Sequence, residues 1–337
     1  MIKEMIQKII NKQDLTQDEA SEVMKEIMSG EATDAQIASF ITALRMKKET
    51  IDEITGLAKT MREFVTRVDI DLSEPVIDTC GTGGDTSHTF NISTLTAFVV
   101  AASGIKVAKH GNRCISSKCG SADIMENLGI RLDLTVEKLK QCFEETGIIF
   151  LFAPLLHPAM KYAIGPRKEI GIRTVFNILG PLTNPAFVNC QVLGVYSEEL
   201  VEPIANVLKN LGTKHSFVVH GNGLDEITIT GETKIAEIID DKIKIYTIKP
   251  EQFGIKRVSI NELKGGDIKV NIDILYDVFK GKKGPKRDIV LLNSAACVMA
   301  ANKAKNWDDA ISIVTEIIDS GRALAKVEQL QEFMKNV

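Results

Sequence analysis

The sequence predicts an α/β protein: a small all-helical N-terminal domain and a large α/β domain with a mostly parallel central sheet. Three observations predict it. About the first 70 residues carry helically spaced apolar residues behind repeated helix-start signals. From residue 75 on, short β-type runs alternate with helical ones. The length, 337 residues, exceeds what one ordinary core holds and points to about two domains. The expected limits are 1–70 and 71–337, with the helical domain open to being joined by a later helical segment.

In the first part, Thr16, Thr33 and Thr50 are each followed three residues later by Glu19, Gln36 and Glu53. That is the capping-box spacing, in which hydroxyl and carboxylate or amide satisfy each other's backbone N–H. Helical apolar spacing follows each: Ala20, Val23, Met24, Ile27 and Met28; Ile37, Phe40, Ile41 and Leu44; Ile51, Ile54, Ala58, Met61 and Val65. Gly30 supplies a stop. Each helix has one apolar face, so they must pack on one another or form a dimer interface.

After Pro75 the expected strands are 75–78, 105–109, 147–152, 188–195 and 216–220, with a buried helix over 93–103. Parallel pairing suits strands separated by helical crossovers. Residues 228–270, holding Thr228–Thr230 and Lys242–Tyr246, read as a small antiparallel excursion. Helix is expected again from about residue 286, and there is no repeat or low-complexity segment.

Bulk properties exclude some classes. A formal net charge of -4 offers no basic excess for nucleic acid or an anionic membrane. No apolar run reaches the ~18 residues that span a bilayer. The N-terminal stretch Met1–Gln13 is an amphipathic helix interrupted by Lys and Gln, unlike a signal peptide. The expected location is therefore the cytoplasm. The six cysteines are scattered and read as reduced thiols.

Four segments carry candidate chemistry. Asp78-Thr-Cys-Gly81-Thr-Gly-Gly84-Asp85 follows a strand and precedes a helix, and Asn91-Ile-Ser93-Thr94 opens that helix. Glycines let backbone N–H groups approach an anion, and helix starts favour one; a tight strand-to-helix turn is the plainer alternative. The pattern is neither G-x-G-x-x-G nor a P-loop. Lys109-His110-Gly-Asn112-Arg113, with Ser116, Ser117, Ser121 and Asp123, concentrates cations and hydroxyls suited to phosphate oxygens. A third stretch contains Pro154, His157 and Arg167, whose planar fork suits a carboxylate; a surface charge is the alternative. In His220-Gly-Asn-Gly-Leu-Asp225-Glu226, two adjacent carboxylates suit Mg2+, which takes hard oxygen ligands and few carboxylates; an acidic turn is the alternative.

Taken together and in order, segments 78–85, 91–94, 109–123, 167–185 and 220–226 resemble the anthranilate phosphoribosyltransferase family over nearly the whole chain. The resemblance implies transfer of the phosphoribosyl group of phosphoribosyl diphosphate (PRPP) to the amine of anthranilate, a step of tryptophan synthesis. It implies a PRPP site at Gly81, Gly84, Asp85, Thr89, Asn91, Ser93, Thr94, Lys109, Asn112, Arg113, Ser116, Ser117 and Ser121. Anthranilate would meet Gly81, His110, Asn112, Pro154 and Arg167. Two Mg2+ ions would be held by Ser93, Asp225 and Glu226, with Lys109 and Arg167 as the catalytic pair. A homodimer joined through the helical domains is implied, and a glutamine amidotransferase partner stays open. Cys114, Ile115 and Cys119 fill variable places in the second segment. The rival readings are a pyrimidine nucleoside phosphorylase and a nucleic-acid-binding relative without activity.

Overall fold

The computed structural model describes residues 1–84, 87–113 and 119–337. It opens with four helices, α1 (Ile2–Ile10), α2 (Gln17–Ser29), α3 (Asp34–Lys47) and α4 (Ile51–Glu63). All three capping boxes close: Thr16, Thr33 and Thr50 accept from the N–H of Glu19, Gln36 and Glu53, whose side chains accept in return. Gly30 ends α2 at φ 79°, a left-handed conformation that costs glycine nothing. Glu53 does more than cap. Its buried carboxylate also accepts Leu15 N–H at 2.9 Å and pairs with Lys47 Nζ at 3.0 Å, tying α2's leading loop and α3 to α4.

The rest alternates β1 (Val76–Gly81), α5 (Ile92–Ala102), β2 (Lys106–Gly111), α6 (Ser121–Asn127), α7 (Val136–Thr146), β3 (Ile148–Phe152), α8 (Ala153–Leu156), α9 (Lys161–Ile170), α10 (Phe176–Leu182), β4 (Cys190–Gly194), α11 (Val201–Asn210) and β5 (His215–Gly221). Then come β6 (Thr233–Ile239), β7 (Lys242–Ile248), α12 (Ile268–Phe279), α13 (Pro285–Ala300), α14 (Trp307–Asp319) and α15 (Arg322–Lys335). One 7-stranded sheet runs in the order β3-β2-β1-β4-β5-β6-β7. The first five strands are parallel; β6 and β7 are antiparallel.

Two expectations shift. Thr228–Thr230 is not a strand; the excursion's first strand is β6. The Thr228 hydroxyl takes the Thr230 N–H at 3.0 Å and Thr228 N–H goes to the Thr233 hydroxyl, so hydroxyls compete with a ladder here. Helix resumes at Ile268, ahead of the expected 286.

Two hydrophobic clusters result. One lies between the sheet and α5, α13, α14 and α15. The other joins the N-terminal helices to α9, α10, α11 and the opposite sheet face through Leu179, Leu182, Leu193, Ile204 and Val218. Arg62 fastens this junction: its Nε donates to the Leu182 carbonyl at 2.8 Å and its guanidinium lies 5.6 Å from the Phe187 ring centre. Burial without a carboxylate lowers its pKa to about 10. Among the described residues, no helix is long and apolar enough to cross a membrane.

Candidate active site

The strand order reverses around β1: β2 and β3 build to one side, β4 and β5 to the other. In open parallel sheets, the crevice at the carboxyl ends of the strands flanking such a reversal is where ligands bind. Here those ends are Gly81 and Gly194, paired in register. Neither has room for a side chain. A Cβ on Gly81 would lie 2.2 Å from Asp225 Oδ2, and one on Gly194 would lie 1.6 Å from the Asp225 carbonyl oxygen. The two glycines therefore admit the acidic segment into the crevice. Asp225 Oδ2 accepts the Gly83 N–H at 2.7 Å, so a carboxylate already rests on the glycine turn. The turn is further held by Thr82 N–H to Gly194 O at 2.9 Å and Tyr196 N–H to Thr82 Oγ1 at 3.0 Å.

From the β2 side comes Lys109. Its buried ammonium donates to the Thr79 carbonyl at 2.5 Å and to Ser93 Oγ at 3.1 Å, which joins the lysine to the first turn of α5. At the same helix start, Asn91 donates to the Cys119 carbonyl at 3.2 Å rather than capping α5. Among the described residues, Asn91 Oδ1 and Thr94 Oγ1 are buried without a partner, which suits contact with a ligand. Thr89 pairs by a bridge with Lys264.

Beneath these residues lies Asp78, fully buried on β1. It accepts from the His110 N–H at 3.1 Å, Asn184 Nδ2 at 2.9 Å and Gln191 Nε2 at 3.2 Å. Burial raises its pKa, while the Lys109 charge, the Asn184 amide and the His110 N–H oppose that rise. Asn184 also donates to Ala108 O at 2.9 Å, so the segment after α10 is pinned to both β1 and β2.

At the end of β2, His110 meets His157 Nε2 to Nε2 at 3.1 Å. Burial drives the His110 pKa down to about 3 and that of His157 to about 4. Asn112 is exposed, and its carbonyl accepts from Ser121 Oγ at 3.2 Å. Arg113 is turned onto α6, reaching Asp123 at 2.8 Å and Glu126 at 2.9 Å. Asp85, Ser116 and Ser117 lie outside the described residues. Pro154 is exposed in α8. Arg167 sits in the last turn of α9 with its guanidinium 5.1 Å from the Phe176 ring centre, and burial lowers its pKa. Phe176 begins α10, whose Gly180 backbone is a hydrogen-bond partner of His110, so one short helix connects Arg167 to the histidine pair.

The structure thus brings Gly81, Lys109, Ser93 and Asp225 to one strand edge. Sequence reasoning included Asp78 and Arg173 in its segments but gave neither a role. Arg173 donates to the Gly84 carbonyl and lies 4.9 Å over the Tyr196 ring. Only the presence of a cation after Gly171 marked it in the sequence. Among the described residues no group of three His, Cys, Asp or Glu side chains could hold a metal alone. Asp225 and Glu226 with a serine hydroxyl fit a hard ion that keeps water and ligand oxygens, as Mg2+ does.

Comparison with known proteins gives one pattern over the full length. Residues 3–65 match the model of the glycosyl transferase family helical bundle domain, and residues 73–324 that of the family's a/b domain. The chain is 56% identical over 345 residues to the anthranilate phosphoribosyltransferase of Geotalea uraniireducens, covering 98% of each. It is 55% identical over 350 residues to that of Pelobacter propionicus, covering 100% of both. Among solved structures, the Thermus thermophilus enzyme superposes with a TM-score of 0.93 at 40% identity, with 98% of this chain and 99% of that one covered. The Saccharomyces cerevisiae enzyme in complex with PRPP and Mg superposes with a TM-score of 0.91 at 29% identity, over 100% of this chain and 98% of that one.

Proposed function

The chain belongs to the glycosyl transferase family, among its anthranilate phosphoribosyltransferases, and from that premise we propose which residues carry the reaction. The enzyme transfers the phosphoribosyl group of PRPP to the amine of anthranilate, releasing diphosphate, in tryptophan synthesis. The observation that carries the site assignment is the contact of Asp225 Oδ2 with the Gly83 N–H, which sets the first carboxylate of an acidic pair against the glycine turn at the strand reversal.

PRPP lies along Gly81, Gly84, Asp85, Thr89, Asn91, Ser93 and Thr94, and then along Lys109, Asn112, Arg113, Ser116, Ser117 and Ser121. Asn91 Oδ1 and Thr94 Oγ1, buried without partners among the described residues, gain one from it. Arg113 leaves Glu126 for a phosphate oxygen, a small cost for an exposed ion pair. Mg2+, two ions held by Ser93, Asp225 and Glu226, supplies charge neutralisation for the diphosphate when bound. The C1–oxygen bond to diphosphate breaks as the C1–nitrogen bond forms, and positive charge builds on the ribose ring. Lys109, fixed by Thr79 and Ser93, faces the negative charge growing on the leaving group.

Arg167 binds the anthranilate carboxylate, with Gly81, His110, Asn112 and Pro154 around the ring. The arylamine is neutral at pH 7 and needs aim more than deprotonation; alignment of this kind contributes roughly 7–11 kcal/mol in favourable cases. After attack, its extra proton passes to solvent. His110, pushed to about 3 by burial, stays neutral and adds no positive charge beside the amine nitrogen as that nitrogen becomes cationic on attack. The helical domain, 1–70 with the later α9 and α10, joins two copies as a cytoplasmic homodimer, and its surface is also where a glutamine amidotransferase would dock.

The test is direct. Mixing the protein with anthranilate, PRPP and Mg2+ is expected to extinguish anthranilate fluorescence with stoichiometric release of diphosphate. Persistent fluorescence, with phosphorolysis of thymidine or uridine instead, sinks the assignment.

A further inference from the structure

Asp225 and Glu226 lie on a loop, yet a metal site requires carboxylates held to a fraction of an ångström. The sheet supplies part of the restraint: the chain at Asp225 presses on Gly194, and Glu226 O would be 2.4 Å from a Cβ on Gly221. The remaining restraint comes from the opposite side, from helix α13. Asn293 there is 1% exposed. Its Oδ1 accepts the Ile227 N–H at 3.0 Å and its Nδ2 donates to the Ile227 carbonyl at 2.8 Å. One amide therefore pairs both backbone polar groups of the residue that follows the acids, as a neighbouring strand would. Nδ2 also donates to the Ile289 carbonyl one turn back, at 2.9 Å, which fixes the side chain on its own helix.

A buried asparagine inside an apolar helix is an unfavourable choice for packing alone. The faces around it are Ile289, Val290, Leu292 and Ala296, and a leucine would fit that pattern. Its next neighbour Ser294 is equally buried and, among the described residues, has no hydrogen-bond partner for its hydroxyl, so polarity at this point of α13 is not required by the helix. What Asn293 alone does is lock the Ile227 peptide.

We propose that Asn293 is a positioning residue for the Asp225–Glu226 pair, setting the carboxylates against the glycine turn in readiness for a divalent cation. The inference rests on the reading of that pair as metal ligands. Groups that orient metal ligands from behind typically cost roughly 10–100-fold in metal affinity when removed.

The test uses the full-length enzyme with Mn2+ as a paramagnetic probe, titrated by EPR in the presence of PRPP, alongside the Mg2+ concentration for half-maximal rate. Asn293→Ala removes all three bonds; Asn293→Asp keeps the shape and the acceptor but loses both donations. Ser294→Ala controls for disturbance of α13. Expected for both Asn293 variants is a roughly 10-fold or greater rise in the Mn2+ dissociation constant and the Mg2+ requirement. The KM for anthranilate should stay within about twofold, and Ser294→Ala should leave all three readings alone. Should Asn293→Ala not fold, Asn293→Asp decides. Unchanged Mn2+ binding in the Asn293 variants, with binding lost in Asp225→Asn, overturns the positioning role alone. Unchanged binding in Asp225→Asn overturns the metal reading and this proposal with it. A KM for anthranilate that climbs in step with the metal requirement assigns Asn293 a merely structural role.

Discussion

His110 and His157 face each other Nε2 to Nε2 at 3.1 Å, with ring centres 5.0 Å apart, inside the protein. Two rings this close cannot both be protonated, and one neutral ring must donate to the other. Folding holds both well below the ordinary value of 6.5, at about 3 and about 4. Below pH 6.5 the unfolded chain takes up protons that the folded one refuses. The stability contribution is thus complete above pH 6.5 and is lost as pH falls towards 4, by up to about 1.4 kcal/mol per pH unit for each histidine. Urea unfolding from pH 7 to 4.5 should show a shallower acid decline in His157→Asn than in the wild type. Parallel declines would mean that the pair does not carry this dependence.

Arg167→Ala should raise the KM for anthranilate roughly 10–100-fold, the scale of a lost charge-assisted hydrogen bond, with the KM for PRPP little changed. Arg167→Lys should restore little, because an ammonium neither forks to a carboxylate nor stacks on Phe176. Initial rates with each substrate varied in turn decide it; an unaltered anthranilate KM removes Arg167 from the site.

Replacing both acids, Asp225→Asn with Glu226→Gln, should lower the rate by about two orders of magnitude or more and flatten its response to Mg2+. Circular dichroism should match the parent. Full activity in the double variant would end the metal assignment.

Gly81→Ala places a methyl 2.2 Å from Asp225 Oδ2. The carboxylate is the side that must yield, so this variant should fold yet need more Mg2+ and more PRPP for half-maximal rate. A variant indistinguishable from the parent in both titrations contradicts the close fit of Asp225 to the turn.

In the N-terminal helices, Thr50→Ala should cost about 1 kcal/mol, the usual loss of a helix cap. Glu53→Ala should cost more, about 2–3 kcal/mol, since it leaves the buried Leu15 N–H and the Thr50 N–H without their acceptor while Lys47 keeps Asp14 at 2.6 Å. Guanidinium denaturation measures both. Equal losses would show that Glu53 acts only as a cap.

Local chemistry was legible in the sequence, and long-range chemistry was not. The helix starts at Thr16, Thr33 and Thr50 depend on residues three positions apart, and all three formed as their spacing required. The five parallel strands announced themselves as apolar runs. Helices α9 and α10 were hidden because Pro166 and Pro181 lie inside them, and proline ordinarily marks an end. Strand β6 was misplaced because the threonines before it satisfy their own backbone. At the candidate site, the glycine and lysine clusters read in the sequence fall at the carboxyl ends of β1 and β2. The Asp78 network, the Arg173–Tyr196 stack and the Asn293 clasp join residues far apart in the chain, and no local pattern betrays such partners.

The order of the strands also bears on how the chain reaches this state. β1 pairs with β2 soon after both exist, but its other flank belongs to β4, which lies on the far side of six helices. At translation speeds of about 5–20 residues per second, that flank of β1 waits roughly 5–20 s for its partner. During this interval an apolar strand edge is open to other nascent chains. Fragments ending before Cys190 should therefore aggregate, and helper proteins that shield such edges should raise the yield of full-length enzyme more than they raise its final stability.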